Sequence, residues 1–539
     1  MDRLASFFGI CALLGICYFF STSRKSISWR IVAVGIGMQL YLASFIVRPD
    51  WVPWILTVAA ALCLGILLFP RVALAGHSES DTSLQAFGLL AARALGVLGF
   101  CTSLIALVVA LDLPWGLPAM GLAVVFYALH RRAPAALDAI RRPVAVLGCA
   151  GVMVLIWTSI LPSNFVFLGL VAMSDALLWV IGKAGEGAGF VFGKLEDPGF
   201  AGWIFAIQVG SIVVLFSGLM SVLYYIRVLP WLVGRMAELL YRGMGISGAE
   251  AISAASNVFI GQTEAPLVVR PYLEKMTRSE LMALMAGGFA TIAGSVFGVY
   301  VAMLDQAGFA RAGPDLIAAS VMSAPAAFVF AKLLLPETEQ PVTQAGAKLP
   351  DDRMGTNVLD ALTGGVTAGV RLAVNIAAML LVFYALIQML DAIVSGVANG
   401  LPSLLHPYIG ETWSADVEFK DLYGYLFAPF ALLMGVSLDD CVPVGQLLGT
   451  KTIFNEFFAY NDLAGMVESG LISQRSQTLS TFALCGFANF MSIGIQIGGL
   501  SALAPGRRPD FAALAFRAMV AGAFACQLTA CIVGLIGKF

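Results

Sequence analysis

Residues 261–271 read GQTEAPLVVRP, a Gln-Thr-Glu triplet leading into Ala-Pro, with AISAASNVFI before it and LVV inside it. An acidic side chain in so apolar a setting costs about 2.5 to 3.5 kcal/mol at mid-bilayer even on lenient insertion scales, so Glu264 reads as functional. Glu456, in NEFFAY at 455–460, raises the same question. A carboxylate only accepts hydrogen bonds, and its best uncharged partners are vicinal hydroxyls, whereas the amides of Gln262 and Asn489 both donate and accept. Together with the hydroxyls of Thr263 and Ser492, the set suits a neutral polar solute that carries a diol and a heteroaromatic edge. Sugar-bearing bases match that description. Phe487 and Phe490 flank Asn489 and could offer a flat face for stacking, although a lone Phe in such a helix more often packs or faces lipid. Asp439 and Asp440 could hold an ion, but beside Pro443 they read more simply as a cap at the start of a hairpin.

These residues must be positioned inside a membrane. The chain has 539 residues, 59% of them hydrophobic and only 12% charged, and its mean hydropathy is +0.89. Such a surface would not stay dispersed in water, and the fold class is an all-α polytopic membrane protein. Runs long enough to cross the hydrocarbon layer fall at about 5–21, 30–47, 53–70, 88–111, 115–130, 143–161, 202–226, 281–304, 315–335, 371–393, 478–503 and 512–536, which makes about twelve transmembrane helices. The basic loop STSRKSISWR after the first run places that loop in the cytoplasm and both termini outside. Basic loops at 130–142, 270–280 and 504–510 alternate correctly with acidic or neutral ones, including 399–421. A net charge of −2 argues against a nucleic-acid partner. Nine scattered cysteines and three histidines offer no metal-cluster spacing.

Two stretches, 246–268 and about 435–459, carry polar groups in mid-run and are too short or interrupted to cross once. Re-entrant hairpins fit them, since irregular backbone at membrane depth is tolerated where it lines a cavity in the protein. Interfacial amphipathic loops are the alternative. An internal repeat favours the first reading: GFATIAG at 288–294 matches GFANFMS at 486–492, and a Glu-bearing segment precedes each copy. Small residues with a neighbouring Thr, Asn or Ser in mid-run are what a broken helix looks like. Residues 336–356, rich in Pro and charge, read as a solvated linker between the repeats, without chemistry of its own.

GQTEAPLVVRP at 261–271, NEFFAY at 455–460, CGFANFMSIGIQIGG at 485–499 and FAKLLLPETE at 330–339 resemble signature segments of the concentrative nucleoside transporter family, over roughly 5–47 and 168–539. That resemblance implies a homotrimer in the lipid bilayer, each protomer pairing a scaffold with a mobile transport part that has two opposed hairpins and two broken helices. It implies that Gln262, Thr263 and Glu264 contact base and ribose, that Glu456 takes ribose hydroxyls, and that Phe487, Asn489 and Ser492 complete the pocket. It further implies a sodium site built from the Asn257 side chain, the Ile260 and Ile292 carbonyls and the Thr291 hydroxyl. The organisation that follows is scaffold spans at 1–47, an inserted four-span region at 48–165, and a third family span with an interfacial helix at 166–245. The first transport repeat is then 246–335, the linker with a scaffold span 336–434, and the second transport repeat 435–539. Shorter bacterial members lack the insertion.

The function expected is sodium-driven nucleoside import across a bacterial inner membrane, with sodium as coupling ion and no other cofactor. Proton coupling is the alternative; without a histidine in the spans it would fall on Glu264 or Glu456, both already assigned to the sugar. A different class, an intramembrane enzyme acting on a lipid-linked sugar through those two carboxylates, would need an acid/base pair and usually a metal or water path. A passive channel would need a continuous line of polar spans, which is absent.

Overall fold

The computed structural model describes residues 2–47 and 165–537, apart from Trp203, Thr263, Ala345, 348–354 and 410–417. The inserted region and its four apolar runs therefore lie outside the described residues. The chain divides into two compact units, one comprising Met1–Gln39 and Leu170–Gly537, the other Leu40–Gly169, of which only the helix ends next to the first unit are described.

Every regular element among the described residues is helical. The first unit opens with α1 (Asp2–Phe19) and α2 (Trp29–Val47, which runs on into the second unit). The chain returns in α3 (Phe165–Phe192), then a short turn α4 (Pro198–Ala201), the apolar α5 (Phe205–Tyr225) and the amphipathic α6 (Val228–Met244). On α6, Leu229, Val233, Ala237, Leu240 and Met244 are buried at helical spacing while Trp231 is exposed, so one stripe packs and the other faces out.

The first repeat follows as α7 (Gly248–Asn257), a turn, α8 (Ala265–Val268), α9 (Arg270–Leu273), α10 (Arg278–Ala290), α11 (Gly294–Gln306) and α12 (Ala312–Leu334). After the linker, α13 (Val358–Ile409) is 52 residues long, and α14 (Phe419–Met434) leads to the second repeat. That repeat comprises α15 (Cys441–Ile453), α16 (Glu456–Glu468), α17 (Gln474–Leu484), α18 (Phe490–Leu503) and α19 (Arg508–Ile536). Of the expected spans, 281–304 and 478–503 are each two half-helices. Helices α3 and α14 have no counterpart among the twelve runs, because Lys, Glu and Gly dilute the one and the other is only 16 residues long.

Five described helices are long and apolar enough to cross a membrane, within Asp2–Phe19, Ala206–Tyr225, Ala312–Leu334, Val358–Val397 and Pro505–Ile536. The chain is an integral membrane protein. Its core lies where α12 and α19 pack against the broken helices: 94% of the apolar stretch of α12 is buried, but none of that of α13. Alanine, glycine and serine dominate α12 and let neighbouring backbones approach closely, the usual way helices associate without a hydrophobic drive. Along α13 the pattern inverts, with Val374, Leu381, Tyr384, Met389, Ile393 and Val397 exposed, an apolar surface suited to lipid.

The linker is not merely solvated, as its composition suggests. Thr343 is buried, its carbonyl accepts from Gly248 N at 2.9 Å and its hydroxyl from Ala249 N at 3.1 Å. It satisfies amides that the first turn of α7 cannot pair internally. Next to it, buried Lys332 reaches Glu250 at 2.5 Å and Glu337 at 3.4 Å, and Thr277 Oγ1 donates to Glu337 at 2.8 Å. Composition could not reveal this docking, since acceptors that seal a helix start look the same as those facing water.

Candidate functional site

Both copies of the repeat fix their turns and breaks by local caps, though not by the same ones. Helix α7 starts at Ser247 with a reciprocal capping box to Glu250 and ends at Asn257, and α10 starts with the same device between Thr277 and Glu280. Between them the GQTEAP stretch turns, and Pro266 and Pro271 each sit in the first turn of a four-residue helix, where proline's missing N–H costs nothing. In the second copy Asn455 caps α16 by accepting from Phe458 N at 3.0 Å, and Asn489 caps α18 by accepting from Ser492 N at 2.8 Å.

Glycines set how closely these parts approach. A Cβ on Gly294 would lie 2.4 Å from Phe259 O, and one on Gly261 would lie 2.7 Å from Ala293 Cβ, so the first turn rests against the first break, Thr291–Ala293. Gly486, at φ +130°, lies on Phe289 and Ala290, with a virtual Cβ only 2.7 Å from Phe289 O. The second break thus crosses the end of α10. Only glycine allows both the left-handed backbone and the approach.

At this crossing the residues singled out by chemistry form one hydrogen-bonded chain. Gln262 Nε2 donates to Ser492 Oγ at 3.3 Å; Ser492 N donates to Asn489 Oδ1 at 2.8 Å; Asn489 Nδ2 donates to Glu456 Oε2 at 3.1 Å. Gln262, Ser492, Asn489 and Glu456 are all buried. Two residues that the spacing did not reveal close the ends. Gln496 Nε2 donates to Gln262 Oε1 at 3.0 Å and to Met285 O at 3.1 Å. The Tyr300 hydroxyl donates to Glu456 Oε1 at 2.8 Å, and its ring stacks on Tyr460 at 4.6 Å between centroids. Gln496 lies seven residues beyond the capping Asn489, on the same helix, and helical periodicity is the one signal that could have found it.

The two carboxylates differ. Glu456 is buried at the N-terminus of α16, where the helix dipole favours an anion, and charge-assisted hydrogen bonds worth about 1.5 to 3 kcal/mol each offset its burial. Glu264 is exposed and stands beside Gly261, its Oε2 2.9 Å from where a Cβ on that glycine would sit. Thr263 lies outside the described residues. Phe487 is half-buried in the second break. Phe490 is exposed and lies parallel to Phe516 at 6.4 Å, which is packing between helices.

The residues expected around sodium also converge. Asn257 is buried, its Nδ2 is 3.4 Å from a virtual Cβ on Gly287, and Thr291 Oγ1 donates to Gly287 O at 3.0 Å. Asn257 Oδ1 has no hydrogen-bond partner among the described residues. A buried acceptor left unpaired is costly, and a cation would satisfy it, so the donor set fits. Ile260 belongs to the turn and Ile292 to the break, and their neighbours touch, Gly294 N donating to Phe259 O at 3.2 Å. Asp440 precedes α15 but its side chain does not cap that helix; its Oδ2 instead accepts from Ser473 Oγ at 2.7 Å and Ser476 Oγ at 2.6 Å at the start of α17, a tie between helices that a local reading of the hairpin start could not show.

Comparison with known proteins places this geometry. Three family models follow one another along the chain: "Na+ dependent nucleoside transporter N-terminus" at residues 8–72, "Nucleoside recognition" at 206–307 and "Na+ dependent nucleoside transporter C-terminus" at 315–534. The middle one covers the first turn and first break, the last one their second copies. An uncharacterized transporter of Haemophilus influenzae is 43% identical over 369 residues, 68% of this chain and 84% of the relative. Solute carrier family 28 member 3 of Mus musculus is 41% identical over 371 residues, and the matched region is about half the length of that relative, 50%. The fold is similar to CNTnw in an inward-facing substrate-bound state, with TM-score 0.68, 31% identity and coverage of 99% of this chain and 98% of the other. A CNTnw variant in an outward-facing state matches with TM-score 0.69 and the same identity and coverage. Family and relatives are transporters and not enzymes. On these matches, the chain belongs to the Na+-dependent nucleoside transporters.

Proposed function

We propose that this chain imports nucleosides by sodium symport and that the crossing of the two breaks is its substrate site. The observation that carries the reading is the continuous chain from Gln262 through Ser492 and Asn489 to Glu456, which joins both repeats in one polar strip. A carboxylate has about four lone-pair sites, so Tyr300 and Asn489 do not exhaust Glu456, and vicinal ribose hydroxyls would take the remainder. Glu264, on the accessible side, is the second acceptor, with Thr263 next to it and the half-buried Phe487 ring as the stacking face. Ser492 already accepts from Gln262, which leaves its hydroxyl proton for the solute.

Sodium is assigned to Asn257, Thr291 and the carbonyls of Ile260 and Ile292. This places the cation at the C-terminal end of α7 and beside the end of α10, where helix carbonyls favour positive charge. By ordering the turn that holds Gln262 and Glu264, the cation would raise nucleoside affinity, and nucleoside would raise sodium affinity by the same factor. The helix–turn–helix pairs α7 to α9 and α15 to α16 are read as re-entrant hairpins, which with the broken helices make up a mobile transport part, 246–335 and 435–539. The remaining described helices form the scaffold of a homotrimer in the inner membrane with both termini outside. Similarity to one transporter in both inward- and outward-facing states supports alternating access by that movement.

The test is uptake of labelled uridine into proteoliposomes under imposed sodium or pH gradients. Accumulation that follows sodium and leaves uridine chemically unchanged is expected. Uptake indifferent to sodium but driven by a pH gradient would replace the sodium assignment with proton symport.

A further inference from the structure

We infer that Gln496 is a positioning residue that fixes which way round the Gln262 amide faces, and so decides the hydrogen-bonding character Gln262 shows to the base. The inference rests on the nucleoside site proposed above.

The two atoms of a side-chain amide differ only in donating or accepting, so its orientation must be read from its partners. Here one partner admits no ambiguity. Met285 O is a backbone carbonyl and can only accept, so the group of Gln496 3.1 Å from it must be the NH2. That NH2 also lies 3.0 Å from Gln262, which must then present its oxygen to Gln496. The Gln262 NH2 is thereby turned toward Ser492, with one hydrogen for the serine at 3.3 Å and one left over. A single carbonyl in α10 thus dictates two amides in succession and leaves Gln262 showing a donor.

A further observation indicates that this orientation is imposed on the side chains. Gln496 Oε1 is buried and has no hydrogen-bond partner among the described residues, so the amide is held in a way that leaves one of its own atoms unsatisfied. The approach also depends on a glycine: a Cβ on Gly288 would lie 2.4 Å from Gln496 Nε2 and 3.0 Å from Gln262 Cβ, so the missing side chain is what lets both glutamines reach α10. A donor on Gln262 complements an acceptor on the base edge. Uracil and cytosine differ here, because the ring N–H and neighbouring carbonyl of uracil become a ring acceptor and neighbouring amine in cytosine. The ratio of uridine to cytidine affinity therefore reports the amide's orientation, whichever base the native protein prefers.

The experiment measures concentration dependence of uridine, cytidine and 2',3'-dideoxyuridine uptake in proteoliposomes for the native chain, Gln496→Met and Gln496→Glu. Methionine keeps the length and removes the donor, which frees the Gln262 amide to turn. Glutamate can only accept when ionised and favours the reversed Gln262. The uridine-to-cytidine affinity ratio is expected to move roughly tenfold in Gln496→Glu and in the same direction, by less, in Gln496→Met. The uridine-to-dideoxyuridine ratio should stay within about twofold, since the ribose hydroxyls are assigned to the carboxylates and not to this amide. Should Gln496→Glu fail to reach the membrane, Gln496→Met alone decides by the same ratio. A uniform fall in uptake with the base ratio unchanged, or no change at all, would overturn the inference. Native protein that took up no nucleoside would instead refute the site reading on which it rests.

Discussion

The Tyr300 hydroxyl donates to Glu456 Oε1 at 2.8 Å, a bond that runs from the half-helix after the first break to the first residue of α16 in the second repeat. Each repeat thus supplies a polar group to the other's turn, since Gln496 of the second reaches Gln262 of the first. Replacing Tyr300 by Phe keeps the ring stack on Tyr460 and deletes only the donor. Uridine affinity should fall about tenfold, while dideoxyuridine, which lacks the hydroxyls, should lose much less. Competition assays on the purified variant check both.

Glu456→Gln and Glu264→Gln should part company in stability. The first puts a neutral amide between two buried donors, and both uptake and the thermal midpoint in detergent are expected to drop, with about 1.5 to 3 kcal/mol lost per charge-assisted bond. Glu264 is exposed, so its change should reduce uptake and lower the midpoint less than the Glu456 change does. Near-native uptake by either variant at normal abundance would remove that residue from the site.

Asn257→Ala and Thr291→Ala should raise the sodium concentration for half-maximal uptake by about fivefold or more, because each deletes an oxygen from the cation's cage. At saturating sodium the nucleoside affinity should recover most of its native value. Sodium titrations of uptake at fixed uridine distinguish this from damage to the nucleoside contacts, which sodium would not rescue.

Gly486→Ala should destabilise the protein markedly, since the new Cβ would meet Phe289 O at 2.7 Å and the backbone sits at φ +130°. Strain of this kind costs on the order of 1 to 3 kcal/mol before the clash is counted. Gly498→Ala, in the following half-helix with open space around it, serves as control and should be neutral or slightly stabilising. Thermal melts of the two variants side by side make the comparison.

Lys332→Met should loosen the linker, because it strands Glu250 and Glu337 beside α7 without their shared cation. Breaking a buried pair by removing one partner costs about 3 to 5 kcal/mol. Faster proteolysis within 336–347 is expected. Unchanged cleavage would show that Thr343 alone holds the segment.

The sequence by itself determined the membrane class, the two-fold plan and the identity of most polar residues at the crossing. Those features are local or repetitive: apolar runs set by bilayer thickness, carboxylates too costly to bury idly, and a Gly-Phe-Ala frame that recurs before Thr291 and Asn489. Only the tertiary structure decided which of these groups meet. It buried Glu456 and left Glu264 exposed, although spacing made them equivalents. It brought Tyr300 and Gln496 to the site from plain helical positions and docked Thr343 onto α7 from a segment that composition marked as solvated. The physical reason is that hydrogen bonds between residues far apart in the chain depend on how closely backbones can cross. At Gly288, Gly294 and Gly486 that approach depends on the absence of a side chain, whose partner across the gap no local pattern records.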